Sequence, residues 1–169
     1  MKRFLAAVVA VTTALALTAC GSSSTNTTTD DKSAESTDDT TYKIGVLQLT
    51  QHAALDKANE GFIAALDESG IKYEVDQQNA SGEQSACQTI AEKLVNDGND
   101  LIYAIATPAA QAVAGVTSEI PIVLSAVTDP AESGLVASND APGGNVTGTS
   151  DLTPVKEQIE LLKQILPDA

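Results

Sequence analysis

Side chains able to do chemistry are sparse in this 169-residue chain, and their scarcity narrows what it can do. There is one histidine, His52, and there are two cysteines, Cys20 and Cys87, with no C-x-x-C. A multi-histidine metal site is therefore impossible, a cysteine-based zinc site or disulfide framework is not indicated, and neither metal nor cofactor is expected. The chain contains no G-x-S-x-G, no G-x-x-x-x-G-K-[ST], no G-x-G-x-x-G and no H-E-x-x-H. Gly143-Gly144 stands in a turn before a strand, which is the wrong context for a phosphate loop. Cys87 falls mid-helix on the apolar side, where a thiol is packing and not a nucleophile. What remains are short polar clusters, Thr50-Gln51-His52, Thr107-Pro108-Ala109 and Thr128-Asp129. Such groups bind small molecules; they do not break bonds, so no enzyme is expected.

The binding chemistry can be specified. Pro108 suits a first helical position and Thr107 an N-cap, and the free N–H groups of a helix opening there receive a carboxylate. The Thr107 hydroxyl either caps that helix or is shared with the ligand. Asp129 either caps a helix of its own or pairs with an ammonium group. A zwitterionic amino acid would satisfy both ends, with its side chain on Leu49, Ala53 and Pro108. The plainer alternative is that Thr107, Asp129 and Thr153 are caps and nothing more. His52 reads as a neutral hydrogen-bonding or solvated loop residue. Asp56 and Glu60, one turn apart, read as a solvated helix face.

From Tyr42 onward, alternating strand and helix patterns would position these clusters. Residues 43–49 are a branched apolar run of the kind buried in a parallel sheet. Leu55, Ala58, Phe62, Ala65 and Leu66 recur at helical spacing until Gly70. A second strand is predicted over 71–76. Ser81-Gly82-Glu83-Gln84 has the form of a capping box, opening a helix that buries Ala86, Cys87, Ile90 and Leu94 and ends at Gly98. A third strand spans 101–106, a helix runs from the Thr107-Pro108 start to about residue 116, and a fourth strand spans 121–126. Thr128-Asp129-Pro130 repeats the cap-then-proline device. A fifth strand at 146–149 precedes a last helix opened by Thr153-Pro154, with Ile159, Leu162, Ile165 and Leu166 on its apolar side. The expected fold is α/β, a doubly wound parallel five-stranded sheet of order 2-1-3-4-5 with helices on both faces. In that order a crevice opens at the carboxyl ends of strands 1 and 3, and the three polar clusters all fall on loops beside it.

Charge divides the chain and excludes partners. The formal net charge is −14, with +2 in residues 1–19, −4 in residues 20–41 and −12 in residues 42–169. A domain at −12 repels phosphate backbones, so no nucleic-acid partner is expected, and no polybasic patch is present for anionic lipid. Aromatic residues make up only 3% of the chain, without tryptophan, so stacking platforms are lacking.

Lys2 and Arg3 precede an apolar run over 4–17, too short to span a bilayer as a helix and suited to a signal peptide. Leu17-Thr18-Ala19-Cys20-Gly21 resembles the bacterial lipobox, which implies cleavage before Cys20 and lipidation of its sulfur. Residues 20–41 are almost wholly Ser, Thr, Asp, Asn, Glu and Gly, a composition that cannot bury enough apolar surface to order and that suits a tether. The expected organisation is a signal peptide over 1–19, a lipidated tether over 20–41 and a ligand-binding domain over 42–169.

The segments Ile44-Gly-Val-Leu-Gln-Leu, His52-Ala-Ala-Leu-Asp56 with Gly61-Phe62, Ala104-Ile-Ala-Thr-Pro-Ala-Ala-Gln111, Ser125-Ala-Val-Thr-Asp-Pro130 and Pro142-Gly-Gly-Asn-Val-Thr-Gly148 with Ser150-Asp-Leu152 carry a family resemblance. In this order they resemble the substrate-binding lipoproteins of ABC transporters, of the tryptophan/tyrosine-binding type, across nearly all of residues 43–168. The resemblance implies one lobe of a two-lobed type I periplasmic-binding-protein fold. It implies an extracytoplasmic, membrane-tethered receptor that delivers an amino acid, aromatic in character, to a permease and its ATPase. It places ligand contacts in the loops after strands 1, 3 and 4, and adds Asp151, near the crossing to a second lobe, as a candidate for the ammonium. Members of the family run to roughly twice this folded length, so a fragment lacking the second lobe is expected. A sensory lipoprotein presenting ligand to a membrane receptor, or a flavodoxin-like enzyme, are the alternatives.

Overall fold

The computed structural model describes residues 40–166. The signal-peptide and lipobox readings, Cys20 and nearly all of the tether lie outside them. The elements run β1 (Thr41–Gln48), α1 (Ala53–Ser69), β2 (Lys72–Asn79), α2 (Gln84–Asn96), β3 (Leu101–Ile105), α3 (Thr107–Ala114), β4 (Ile122–Val127), β5 (Val146–Ser150) and α4 (Val155–Ile165). All five strands are parallel in the order β2-β1-β3-β4-β5, as expected from the sequence.

Burial follows position in the sheet. The central strands β1 and β3 carry near-continuous buried runs, Ile44–Gln48 and Ile102–Ile105, because helices cover both faces. The edge strand β2 alternates between exposed and half-buried residues. One face packs Leu47, Ile102, Leu124 and Val127 against Cys87, Ala91 and Leu94 of α2 and Ala109, Ala110 and Val113 of α3. The alanines of α3 bring its backbone close to the sheet. The opposite face packs Val46, Tyr103 and Ile105 against Leu55, Ala58 and Phe62 of α1, with the Phe62 and Tyr103 rings stacked at 4.1 Å. Gly70 ends α1 at φ 72°, the left-handed conformation glycine takes without a side-chain clash.

Five local expectations are corrected. Ser81 does not cap α2; it sits at φ 54° in a turn where Asn79 Oδ1 accepts from the Ser81 N–H and the Gly82 N–H reaches Leu49 O at 2.8 Å. That turn takes the chain from β2 toward the end of β1, and α2 starts only at Gln84, after Glu83. Helix α3 starts at Thr107 itself, with Ala106 as N-cap, so the Thr107 hydroxyl makes no cap. No helix follows Asp129: residues 130–134 form a hydrogen-bonded turn and the rest of 128–145 is bend and loop, because the Asp129 carboxylate closes a short turn and the chain must reach β5. Thr153 makes no side-chain cap for α4, whose N-cap is Pro154. Strand β2 also extends to Asn79, pairing with β1 along its length.

Helix α4 differs from the others in being exposed at every residue, whereas α1, which also has no fully buried residue, sets half-buried side chains against the sheet. Its apolar side chains are exposed, Val155 at 58%, Ile159 at 46% and Ile165 at 67%. Nothing among the described residues covers that stripe. No described helix is long and apolar enough to cross a membrane.

Candidate functional site

Parallel strands bring all their carboxyl ends to one edge, and backbone hydrogen bonds join those ends side by side. The Leu49 N–H reaches Ile105 O at 3.2 Å, linking the β1 loop to β3. The Ala106 N–H reaches Ser125 O at 3.0 Å, linking β3 to β4. The Asp151 N–H reaches Val127 O at 3.2 Å, and Ser150 Oγ donates to Thr128 O at 2.6 Å, linking β4 to β5. Thr50, Gln51, His52, Thr107, Pro108, Thr128, Asp129 and Asp151 therefore line one end of the sheet, half-buried or exposed. Ala109 is at the same end but its methyl is fully buried in the core, leaving only its backbone N–H for a ligand.

Each cluster has its own local cause. His52 is the N-cap of α1, its Nδ1 accepting from the Ala54 N–H at 3.2 Å. The first N–H groups of α3 have no intrahelical acceptor; the first internal bond runs from the Ala110 N–H to Ala106 O at 3.0 Å. Those donors are presented by Ala106, which holds φ 84° and ψ 152°, a conformation that strains any residue with a Cβ by about 1–3 kcal/mol. The Thr107 hydroxyl has no partner among the described residues and is free for a ligand.

Asp129 uses one oxygen only. Its Oδ1 accepts from the Glu132 and Ala131 N–H groups and from Asn139 Nδ2 at 3.0–3.1 Å. The Glu132 N–H first, then the Asn139 carboxamide and the Ala131 N–H, hold this carboxyl below the usual carboxylate range. The other oxygen, Oδ2, has no partner among the described residues. The two readings of Asp129 from sequence are thus compatible: it closes its turn with one oxygen and keeps a charged oxygen unspent. A cavity of about 120 Å³ lined by Leu124, Pro130, Val136, Asn139, Pro142 and Gly148 adjoins this turn.

One residue escaped the sequence reading. Gln48, the last residue of β1, is only 4% exposed, and its Nε2 donates to Thr50 O at 2.8 Å and Asp56 Oδ1 at 2.7 Å. Asp56 is therefore not a solvated helix face, whereas Glu60 pairs with Lys57 at the surface. The available signal was a polar residue ending an apolar strand eight positions before an acid in the next helix.

The order 2-1-3-4-5, with a crevice at the β1/β3 carboxyl ends, is that of a doubly wound α/β lobe, and the fold is that of one lobe of a type I periplasmic binding protein, as in a leucine binding protein of Thermotoga maritima at TM-score 0.54 and 18% identity. The comparison is specific. Residues 43–169 match the model of the ABC transporter substrate binding protein family, and the chain belongs to that family. It is 49% identical over 140 residues to a tyrosine-binding protein of Clostridioides difficile strain R20291, covering 80% of this chain and 41% of that one. Among solved structures it resembles an ABC domain from Streptococcus pneumoniae in complex with L-Trp, at 43% identity and TM-score 0.72. It also resembles a ligand-free, open substrate-binding protein with adhesive properties from Clostridium difficile, at 45% identity and TM-score 0.70. Both structural matches cover 76% of this chain and 45% of the other. The chain thus spans less than half the length of these relatives, which are solute-binding proteins and not enzymes.

Proposed function

We propose that the chain is the ligand-binding lobe of an extracytoplasmic receptor for an aromatic amino acid, delivering it to an ABC permease and its ATPase. The observation that carries the reading is a pair of complementary groups at one sheet end. The unspent N–H groups of the first turn of α3 suit a carboxylate, and the free Oδ2 of Asp129 suits an ammonium. In this reading Thr107 and Thr128 add hydroxyls, Asp151 adds charge, and Thr50, Gln51, His52 and Pro108 flank the ligand side chain. The L-Trp complex of the streptococcal relative and the tyrosine named for the clostridial one support an aromatic ligand.

The domain plan is part of the proposal. Residues 1–19 are read as the signal peptide and residues 20–41 as a tether lipidated at Cys20, its last residue, Thr41, being the first of β1. Residues 42–169 supply one of two lobes. The relatives are more than twice as long as the part this chain spans, and the apolar stripe of α4 needs a cover that a second lobe would provide. Closing two lobes on the ligand is then the signal to the permease.

Calorimetric titration with L-tryptophan, L-tyrosine and L-phenylalanine tests the ligand. Heat of binding to at least one of them is expected, and none with any at millimolar concentration would refute the assignment. Feeding labelled palmitate tests the anchor: incorporation should vanish in Cys20→Ala, and persistence of the label would refute lipidation there.

A further inference from the structure

Two polar side chains are buried among the described residues, Gln48 and Asn99. Asn99 is accounted for locally: its Nδ2 donates to Leu94 O at 2.7 Å, finishing the turn after α2. Gln48 is different, because it sits at the switch point itself, registered between Asn79 of β2 and Ile105 of β3. Burying a carboxamide costs stability unless its hydrogen bonds are replaced, so an apolar residue would be the simpler choice at the end of so apolar a strand. Both acceptors that Gln48 finds belong to the stretch that follows β1, the β1–α1 loop and the first turn of α1. Thr50 O lies in the loop, and Asp56 Oδ1 projects from the first turn of α1.

We propose that Gln48 is a positioning residue for ligand recognition, fixing the Leu49–His52 loop and the start of α1 at the mouth of the crevice. The inference rests on the amino-acid-binding reading above. Beyond the Leu49 N–H bond to Ile105 O, the loop leaves β1 with two ties. From the β2 side the Gly82 N–H holds Leu49 O at 2.8 Å, and Thr50 Oγ1 lies 3.9 Å from where a Cβ on Gly82 would stand. From within, Gln48 holds Thr50 O. Without the second tie the carbonyl of Thr50 and the side chains of Thr50, Gln51 and His52 lose their fixed aim, while the strand pairing of β1 remains. A loop that must be ordered at the moment of binding subtracts that ordering cost from affinity.

Three variants of the protein separate positioning from stability. Gln48→Met keeps the volume and removes both ties. Asp56→Ala removes only the helix tie. Gln48→Glu with Asp56→Asn restores a bond between positions 48 and 56, with donor and acceptor exchanged, but leaves Thr50 O without a donor. With L-tryptophan as the probe, Gln48→Met and the double variant should each lose about tenfold in affinity, and Asp56→Ala less than about threefold. The double variant should regain melting temperature over Gln48→Met without regaining affinity. In the ligand-free protein, hydrogen exchange of the amides bonded to the loop, Gly82 N–H on Leu49 O and Ala54 N–H on His52 Nδ1, should quicken in Gln48→Met and the double variant only. Affinity that simply follows melting temperature across the three variants, or unchanged exchange in the loop, would overturn the assignment. No binding of tryptophan, tyrosine or phenylalanine by the unaltered protein would instead sink the amino-acid reading, and loop exchange would then decide the role of Gln48 by itself.

Discussion

Gly148→Ala is expected to destabilise the protein by about 3 kcal/mol or more, among the largest effects a single methyl can have. Gly148 lies in β5 opposite Leu124, where the β4–β5 register shifts between Leu124 and Val127. A Cβ there would stand 2.1 Å from Leu124 O and 2.6 Å from Leu124 N, and the residue holds φ 154°. The clashing atoms are backbone, so no side chain can swing away; β4 and β5 must separate. That separation reaches the site, since β5 carries Ser150 against Thr128 O and the Asp151 N–H against Val127 O. Gly61→Ala is the control. Gly61 is exposed within α1 with nothing within 4 Å of its would-be Cβ, so alanine should stabilise by about 0.5–1 kcal/mol. Urea unfolding of both variants checks the contrast. A Gly148→Ala protein as stable as the parent would mean that β4 and β5 do not approach as described.

The second large effect concerns Asp129. Asp129→Asn keeps an oxygen to accept from the Glu132 and Ala131 N–H groups but removes the charge on the free oxygen. Affinity for a zwitterionic amino acid should fall by about 10²-fold, the order of magnitude for losing a charge-assisted pair, while the melting temperature falls only by the share of the turn that depends on the charge. Asp129→Ala should lose affinity and stability together, because the turn through Glu132 opens as well. The pH dependence has a definite sign. The Glu132 N–H, the Asn139 carboxamide and the Ala131 N–H depress this carboxyl, so it stays ionised from neutral pH down through the ordinary carboxylate range. Both the ammonium pairing and the turn's share of stability are fully present above the unfolded-state value of about 4. They are lost only as pH falls through the depressed value. Titrations from pH 8 to pH 3 check this; an affinity that halves between pH 7 and 5 would contradict it.

The sheet order was legible in the sequence because apolar runs at 43–49, 101–106 and 121–126 alternate with helical spacing, and a chain so patterned has one common way to wind. The clusters at Thr50–His52, Thr107–Pro108 and Thr128–Asp129 followed, since the ends of parallel strands share one edge. Expectations failed where a tertiary bond outweighed local preference. Ser81 has capping-box neighbours, yet its turn is closed by Asn79 and by the distant Leu49 carbonyl. Asp129 precedes proline as a helix cap would, yet Asn139, ten residues on, shares the same carboxylate oxygen. The strained φ of Ala106 leaves no trace in residue type, because alanine gives no hint of a glycine-like conformation. Gln48 was hidden for the opposite reason: one polar residue ending an apolar strand looks like the start of a loop, and only Asp56 on the returning helix shows that it is buried.

The central claim is that the sheet end shared by β1, β3 and β4 receives an amino acid. Chemical-shift mapping of ¹⁵N-labelled backbone amides, with L-tryptophan added to about 10 mM, reads that location even when binding is only millimolar. Shifts are expected at Leu49–His52, at Thr107, Ala109 and Ala110, at Thr128, Asp129, Ala131 and Glu132 and at Asp151, with β2 and the far side of α1 unmoved. Shifts confined to the exposed face of α4 or to the amino-terminal ends of the strands, or none at all, would contradict the account.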